Sequence, residues 1–109
     1  MNHPDISICI VNLNAREYLR NCLRSIPQAA QNLSSEVIVV DNSSTDGSAQ
    51  MVREDFATIK LITNNQNLGY SRPMNQAMRA ATGKYLIQLN PDTLPHPFAF
   101  DKLYEFMEA

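Results

Sequence analysis

The chain has 109 residues, of which 44% are hydrophobic and 18% are charged, a composition typical of one small globular domain. Its formal net charge is -2, and its basic residues are scattered, which argues against broad electrostatic binding to nucleic acid or to an anionic membrane surface. No apolar run approaches the roughly 20 residues of a membrane-spanning helix, and the first residues do not resemble a secretion signal. We therefore expect a cytosolic location, and we leave open a peripheral membrane association in a longer form of the protein.

The cysteine and histidine residues do not form a metal-binding pattern. Cys9 falls in an apolar strand pattern and Cys22 on the apolar side of a helix pattern, so we expect two reduced core cysteines rather than a disulfide. His3 and His96 are isolated in the sequence. We therefore expect no zinc site.

The first half of the chain contains two strand patterns and two helix patterns. Residues 6–13 and 37–40 are rich in Ile and Val, as expected of strands that are buried on both faces. Residues 16–29 have helical periodicity, with an apolar stripe of Tyr18, Leu19, Cys22, Leu23 and Ile26. A second helix is predicted to open at residues 45–47 and to turn Ala49, Val52 and Phe56 inward.

The second half continues the alternation, which is typical of βαβ units around a parallel sheet. Strands are predicted over 59–63, where Lys60 indicates an edge position, and over 85–89. The third helix is predicted from about Ser71, with Pro73 in its first turn, and Gly83 is predicted to end it in a left-handed conformation. Its apolar face comprises Tyr70, Met74, Ala77, Met78 and Ala81, and that of the last helix comprises Phe100, Leu103, Tyr104 and Met107.

Polar side chains follow two of these strands at the point where each strand ends. Asn90 and Asp92 follow the fourth strand, and Asp41 follows the second. In open α/β sheets, ligands bind in the crevice beyond the carboxyl ends of the strands. Asp92 could hold a divalent cation whose remaining ligands are substrate phosphates, although a single Asp after a strand is also common in turns and helix caps.

The three glycines argue against the common nucleotide loops. Gly47, Gly69 and Gly83 lie far apart, whereas dinucleotide-binding and Walker loops need closely spaced glycines. A bound diphosphate would then need a metal, which Asp92 could hold. Asp41 could accept the imide N–H of uracil or thymine, a charged hydrogen bond of about 1.5–3 kcal/mol. Asp46, at the start of a helix, is interpreted as structural.

Several motifs together resemble the family 2 glycosyltransferases, in the same order and over essentially the whole chain. They are the segments 8–14, 39–48, 67–70 with Asn75, 81–85 and 89–93. The last segment contains Asn-Pro-Asp, which resembles the variant of the Asp-x-Asp motif in rhamnosyltransferase-like members. The resemblance implies a Rossmann-like GT-A fold, with a mostly parallel sheet of about four strands in the order 3-2-1-4.

The resemblance also implies a function for this segment. Residues 1–109 would be the part of a GT-A domain that binds a nucleotide-diphosphate sugar, UDP- or dTDP-linked, without the acceptor-binding half. The transfer would be inverting, to a saccharide or lipid-linked acceptor, as in polysaccharide biosynthesis. Asp92 would bind Mg²⁺ or Mn²⁺, and the nucleotide-binding residues would be Val11, Asn12, Leu13, Asn14, Asp41, Ser43, Leu68, Gly69, Asn75 and Asn90.

Two departures from the family pattern bear on these expectations. Arg72 and Pro73 stand where members with this variant usually carry small residues, and Arg72 is interpreted as a surface residue that could alternatively reach a phosphate. Asn90 replaces the first acid of the usual motif, which predicts weaker metal binding. No residue is assigned as the catalytic base, because Asp101, Glu105 and Glu108 are interpreted as a solvated helix face.

Three other functions would share features of this sequence. A non-catalytic module that binds a nucleotide or a protein partner would have the same fold, and an exposed apolar surface would favour a segment of a larger enzyme over such a module. A phosphatase of the haloacid dehalogenase type would need a second acid two residues after Asp41, where Ser43 stands. A response-regulator receiver would need an acidic pair near the first strand, where the chain has Asn12 and Asn14.

Overall fold

The structure is a computed structural model that describes residues 3–109. Within these residues, strands and helices alternate strictly along the chain. The strands are β1 (Ile6–Asn12), β2 (Ser35–Asp41), β3 (Lys60–Thr63) and β4 (Tyr85–Leu89), and the helices are α1 (Arg16–Ala29), α2 (Ser48–Asp55), α3 (Ser71–Ala80) and α4 (Ala99–Glu108). The predicted elements are confirmed, with boundaries that differ by at most three residues.

The four strands form one parallel sheet in the order β3-β2-β1-β4, which confirms the predicted fold class. Asn12 at the end of β1 pairs with Asp41 at the end of β2, and Ile10 pairs with Leu89 at the end of β4. All strand ends therefore meet at one edge of the sheet, which is called here the carboxyl end. β3 lies at a border of the sheet, as the charge of Lys60 predicted.

Helices cover the two faces of the sheet unequally. On one face, Ile6, Ile8 and Ile10 pack with residues of α1, α2 and α4 in the larger core, and on the other face Cys9 and Val11 pack with Met74 and Ala77 of α3. Cys9 and Cys22 are both buried, which confirms the prediction that they lie in the core. The connections through α1 and α2 run towards β3, whereas the connection through α3 returns along the opposite face to β4. The direction of the strand order thus reverses between β1 and β4.

Four residues that were predicted to face the core are exposed instead. Tyr18 of α1 is 64% exposed and Tyr70 at the start of α3 is 50% exposed, and Leu103 and Met107 of α4 are 51% and 54% exposed. Together with Leu86 of β4 and Phe106 of α4, the last two form an exposed apolar surface, called here the β4–α4 surface. It surrounds a groove of about 230 Å³. Helical periodicity placed Leu103 and Met107 on the same side of α4 as Phe100 and Tyr104, but only the latter two pack with the larger core.

Asp101 corrects the prediction that all acids of the last helix are solvated. Its side chain is 7% exposed, because its carboxylate accepts the backbone N–H groups of Gln31 at 3.0 Å and Asn32 at 2.9 Å. These amides follow α1, so Asp101 ties α4 to the end of α1. Glu105 and Glu108 are exposed, as predicted.

Gly83 also has a different role from the predicted one. Helix α3 ends at Ala80, and its C-cap Ala81 is extended rather than left-handed. A Cβ atom at position 83 would lie 2.5 Å from the Ser7 Oγ atom and 2.7 Å from backbone atoms of Ile6 and Ser7. Glycine is therefore required by the close approach of β1, and not by a helix end.

None of the helices within residues 3–109 is long and apolar enough to cross a bilayer.

Candidate functional site

An open cleft of about 560 Å³ lies at the carboxyl end of the sheet, where the strand order reverses between β1 and β4. Ligands of open α/β sheets bind at such a reversal, because the flanking helices lie on opposite faces and leave a crevice. The walls come from the end of β1, the first turn of α1, the start of α3 and the loop after β4. The lining residues are Val11, Ala15, Tyr18, Tyr70, Asn90, Pro91 and Asp92.

The loop after β4 presents Asp92 to this cleft. The Thr93 N–H donates to the Asn90 carbonyl oxygen at 3.1 Å, which closes a turn with Pro91 and Asp92 at its tip. Asp92 is exposed, and no hydrogen bond or ion pair engages its carboxylate within residues 3–109. Turn formation therefore leaves a negative charge that the described protein does not neutralise.

Cys22 lies beneath this loop. Its Sγ atom is 4.0 Å from the Asn90 carbonyl oxygen. Burial, and secondarily the charge of Asp92, raise the pKa of the Cys22 thiol to about 11. The thiol is therefore neutral at physiological pH, and its contribution to the site is packing beneath the loop.

Asp41 lies at the same end of the sheet as Asp92, separated from it by β1. Two strand spacings correspond to about 10 Å. Asp41 is only 3% exposed. Its Oδ1 atom accepts hydrogen bonds from Asn12 Nδ2 at 3.1 Å and from Ser44 Oγ at 2.7 Å, and its Oδ2 atom accepts the Ser44 N–H at 3.0 Å. A carboxylate can accept about four hydrogen bonds, so Asp41 has limited remaining capacity for a ligand.

Asn12 contributes a polar atom that lacks a partner. Its side chain is fully buried, and its amide nitrogen donates to Asp41. Its Oδ1 atom is buried without any hydrogen-bond partner. Such an atom carries a free-energy cost of about 1–3 kcal/mol. This cost arises at the carboxyl end of β1.

Two left-handed residues shape the loops after β1 and β2. Asn14 has φ 50° and Ser43 has φ 70°, a conformation that is uncommon for residues other than glycine. Asn14 is held in place because its N–H donates to Ser44 Oγ at 2.8 Å and its Oδ1 atom accepts the Thr45 N–H at 2.8 Å. The two loops are thus joined through Ser44, which the sequence analysis did not single out.

Asp46 has the structural role that was predicted for it. Its carboxylate accepts the Arg16 N–H at 3.0 Å and the Ser48 N–H at 3.0 Å, the first amides of α1 and α2. Burial alone would raise the pKa of Asp46, but these hydrogen bonds and one from the Ser48 hydroxyl lower it. Asp46 therefore stabilises the starts of both helices and is not available to a ligand.

The predicted site residues are distributed around the carboxyl end. Three of them, Val11, Asn90 and Asp92, line the cleft. Asn12 and Asp41 are buried beside it, whereas Leu13, Asn14 and Ser43 lie at the ends of β1 and β2. Leu68 and Gly69 belong to the loop before α3, and Asn75 is exposed on α3. The residues that line the cleft do not include Leu68, Gly69, Asn75 or Arg72.

Two aromatic residues of the cleft were not predicted as site residues. Tyr18 was assigned to the core stripe of α1 and Tyr70 to the apolar face of α3, but both line the cleft. Tyr70 is 50% exposed. Their positions in the sequence could have indicated a place near the site, because each follows, within a few residues, a loop that begins at the end of a predicted strand. Helical periodicity could not distinguish a core position from a cleft wall.

A divalent metal at this cleft would have to share its coordination with a ligand. In the part of the chain that the structure describes, no group of three or more His, Cys, Asp or Glu residues could hold a metal ion. One unpaired carboxylate, Asp92, and the neighbouring amide of Asn90 suit a hard cation such as Mg²⁺ or Mn²⁺ that keeps waters and substrate phosphates. The residues present fit that mode of binding.

The fold and the cleft together define an α/β domain of the Rossmann-like GT-A class. The chain belongs to the family Glycosyl transferase family 2, whose model matches residues 7–109. A glycosyltransferase of Haemophilus influenzae is 30% identical over 98% of this chain and 34% of its own length. The abequosyltransferase RfbV of Salmonella typhimurium is 38% identical over 73% of this chain and 26% of its own length.

Solved structures share the fold. S. aureus TarS, in a crystal structure in complex with UDP, superimposes with a TM-score of 0.83 at 23% identity, over 95% of this chain and 32% of that one. The mannosyltransferase PcManGT from Pyrobaculum calidifontis, in complex with GDP-Man and Mn²⁺, has a TM-score of 0.79 at 24% identity, over 99% of this chain and 32% of that one. The chain spans about a third of the length of the curated relatives that it matches.

Proposed function

We propose that this chain binds a nucleotide-diphosphate sugar, UDP- or dTDP-linked, in the cleft between β1 and β4. The observation that carries the proposal is the position of Asp92. Its carboxylate is exposed and unpaired at the reversal of the strand order. There it could be a ligand of a Mg²⁺ or Mn²⁺ ion that is also bound to a diphosphate. The ion would offset the negative charge of the diphosphate, which no glycine-rich loop is present to cradle.

The base of the nucleotide is assigned to the region beside Asp41, at the ends of β1 and β2. The carboxylate of Asp41 already accepts three hydrogen bonds, so a fourth, from the imide N–H of uracil or thymine, would complete its capacity. Val11, Leu13, Asn14 and Ser43 would contact the nucleoside from the ends of β1 and β2. UDP in the TarS complex supports this class of ligand, whereas GDP-Man in PcManGT makes the pyrimidine preference a point to be tested.

The proposed role for residues 1–109 is the donor-binding part of a larger GT-A domain, rather than a non-catalytic module. The β4–α4 surface supports this choice, because Leu103, Phe106 and Met107 are 51%, 78% and 54% exposed on one helix. A contiguous apolar surface usually marks an interface. In a longer protein, further polypeptide would cover it and would supply the acceptor site. The proposed cytosolic location rests on composition alone.

Sugar transfer with inversion requires a base that removes the proton of the acceptor hydroxyl. Asp92 is the one acid among the described residues that line the cleft, and the metal engages it in this proposal. The base is therefore assigned to the acceptor-binding part, for a saccharide or lipid-linked acceptor. The segment Asn90-Pro91-Asp92 supports placing the chain near rhamnosyltransferase-like members of the family. The abequosyltransferase RfbV is an example of a relative named for the transfer of another sugar.

Calorimetric titration with UDP, dTDP and ADP, with and without Mn²⁺, tests the proposal. We expect metal-dependent binding of UDP or dTDP in the micromolar to millimolar range, about -8 to -4 kcal/mol, and at least tenfold weaker binding by Asp92→Ala. Glu105→Ala, which removes an exposed acid of α4, is the matched control and should bind as the wild type does. Absence of any binding to the folded wild type with Mn²⁺ present would refute the donor site.

The same titration tests the role of Asp41. Asp41→Ala should weaken the pyrimidine nucleotides about tenfold and should change ADP affinity much less, because the removed acceptor matches the imide N–H of a pyrimidine. Equal losses for UDP and ADP would show that Asp41 stabilises the loops without reading the base.

A further inference from the structure

The first residue after β2, Asn42, binds a loop that lies 25 residues further along the chain. Its side chain is 3% exposed, although it lies beside an open cleft. The Nδ2 atom donates to the Asn67 Oδ1 atom at 2.7 Å and to the Gly69 carbonyl oxygen at 2.9 Å, and the Oδ1 atom accepts the Leu68 N–H at 3.0 Å. One buried amide thus contacts three consecutive residues of the loop before α3.

The geometry uses the full donor capacity of an amide. A carboxamide offers two N–H donors and a carbonyl acceptor, and here both donors and the acceptor are engaged. Asn67 reinforces the contact, because its Oδ1 atom also accepts the Gly69 N–H at 2.9 Å. An Asp side chain at position 42 would keep the acceptor but would turn a charged oxygen towards two other oxygens.

The base of this contact is rigid. The Asn42 N–H donates to the Asn12 carbonyl oxygen at 2.9 Å, and the Asn64 N–H donates to the Asp41 carbonyl oxygen at 2.9 Å. Asn42 is therefore fixed to the ends of the two central strands before its side chain reaches the loop. Through Asn42, the position of the loop is therefore fixed relative to the sheet.

The loop leads directly to a wall of the cleft. Gly69 has φ 82°, a left-handed conformation that directs its carbonyl oxygen to Asn42, and the next residue is Tyr70. Tyr70 lines the cleft together with Asn90 and Asp92, and it is 50% exposed. An aromatic ring in that position can pack against the ribose or the sugar of a bound donor.

We propose that Asn42 is a positioning residue that holds the turn 67–69 and thereby fixes Tyr70 in the wall of the donor cleft. The role in binding rests on the proposed function of the cleft. The hydrogen-bonded turn itself is a property of the free protein. Asn42 acts on the ligand only through the loop, since its own side chain is buried and fully engaged.

Asn42→Asp tests the inference, with UDP and Mn²⁺ as the probe. We expect the Kd for UDP to rise about tenfold, because both donors to the turn are lost. Hydrogen exchange at the Gly69 amide should accelerate at least tenfold, because its acceptor, the Asn67 Oδ1 atom, is no longer held by Asn42. Gln76→Glu is the matched control, since Gln76 exchanges two hydrogen bonds with Asn64 at the start of the same loop. That variant should leave the Kd within about twofold of the wild-type value.

The outcomes separate this inference from the proposed function. An unchanged Kd or an unchanged Gly69 exchange rate in Asn42→Asp would overturn the positioning role. If the wild type does not bind UDP, the proposed function fails, and the inference fails with it as regards the ligand. If Asn42→Asp does not fold, Gly69→Ala replaces it, because a Cβ atom there meets nothing within 4 Å and only the left-handed turn is strained. An unaltered Kd in that folded variant would likewise overturn the inference.

Discussion

At the amino end of the sheet, donors from three elements surround the Glu36 carboxylate, whereas at the carboxyl end the Asp92 carboxylate faces an open cleft. Glu36 accepts hydrogen bonds from Ser7 Oγ at 2.6 Å, Lys60 Nζ at 2.7 Å and Thr82 Oγ1 at 2.9 Å. Its side chain is 12% exposed. These contacts neutralise the charge of Glu36, and they link β2 to β1, β3 and the loop before β4.

The difference separates stability from binding. A carboxylate that the fold has fully paired contributes to the free energy of unfolding, and a carboxylate that the fold leaves unpaired remains available to a cation. Changes at the amino end should therefore lower stability without altering nucleotide affinity. Changes at Asp92 should lower nucleotide affinity without lowering stability.

Gly83→Ala should produce the largest loss of stability at the amino end, about 3 kcal/mol. The added Cβ atom would lie 2.7 Å from backbone atoms of Ile6 and Ser7, so that β1 or the loop before β4 must shift. Urea denaturation measures the loss. Gly69→Ala is the comparison, because its surroundings are open and its left-handed backbone alone should cost about 1 kcal/mol. Equal losses in the two variants would contradict the steric explanation.

Glu36→Gln should lower the free energy of unfolding by about 2 kcal/mol at neutral pH, with UDP affinity unchanged. Part of the pairing comes from Lys60, which is half exposed and screened by solvent, so the full effect of the ion pair is not expected. Glu105→Gln on the exposed face of α4 should change stability by less than about 0.5 kcal/mol. A drop in UDP affinity in Glu36→Gln would show that the two ends are coupled.

The same carboxylate predicts how stability depends on pH. Burial would raise the pKa of Glu36, but hydrogen bonds from Lys60, Ser7 and Thr82 outweigh it and lower the pKa from 4.5 to about 2. Because the pKa is lower in the folded state, the stabilisation is complete above pH 4.5 and is lost as the pH falls towards 2. Urea denaturation between these pH values should show the loss in the wild type and a smaller one in Glu36→Gln.

Asp92→Ala should have the smallest effect on stability, within about 0.5 kcal/mol, although it is expected to remove metal-dependent binding. The carboxylate is exposed and makes no hydrogen bond within residues 3–109, so its removal leaves no buried partner unsatisfied. A loss above 1 kcal/mol would indicate that Asp92 is a structural cap, the alternative interpretation of an acid that follows a strand.

The sequence predicted the elements because these depend on local periodicity, and the strand order followed from the resemblance to the family. It also predicted that Asp41 and Asp92 would share one end of the sheet, since all parallel strands end there. It did not predict the burial of Asp101, whose partners Gln31 and Asn32 lie 70 and 69 residues away. It also misassigned Tyr18, because a cleft wall and a core have the same helical spacing.

The contacts around Asp41 and Asn42 were beyond sequence reasoning for a similar reason. Ser44 joins the loops after β1 and β2 only because Asn14 and Ser43 adopt left-handed conformations, which their residue types permit but do not require. Likewise, Asn42 could be recognised as part of a motif, but its partners in the turn 67–69 depend on the tertiary position of that loop.

Paramagnetic broadening of backbone amide signals by UDP with Mn²⁺ tests the location of the ligand most directly, with UDP and Mg²⁺ as the diamagnetic reference. The account predicts that the amides of Val11, Tyr70 and Asp92 lose the most intensity, and that those of Glu36 and Thr82 at the opposite end retain the most. Strongest broadening at the amino end, or equal broadening throughout the sheet, would contradict a donor site between β1 and β4.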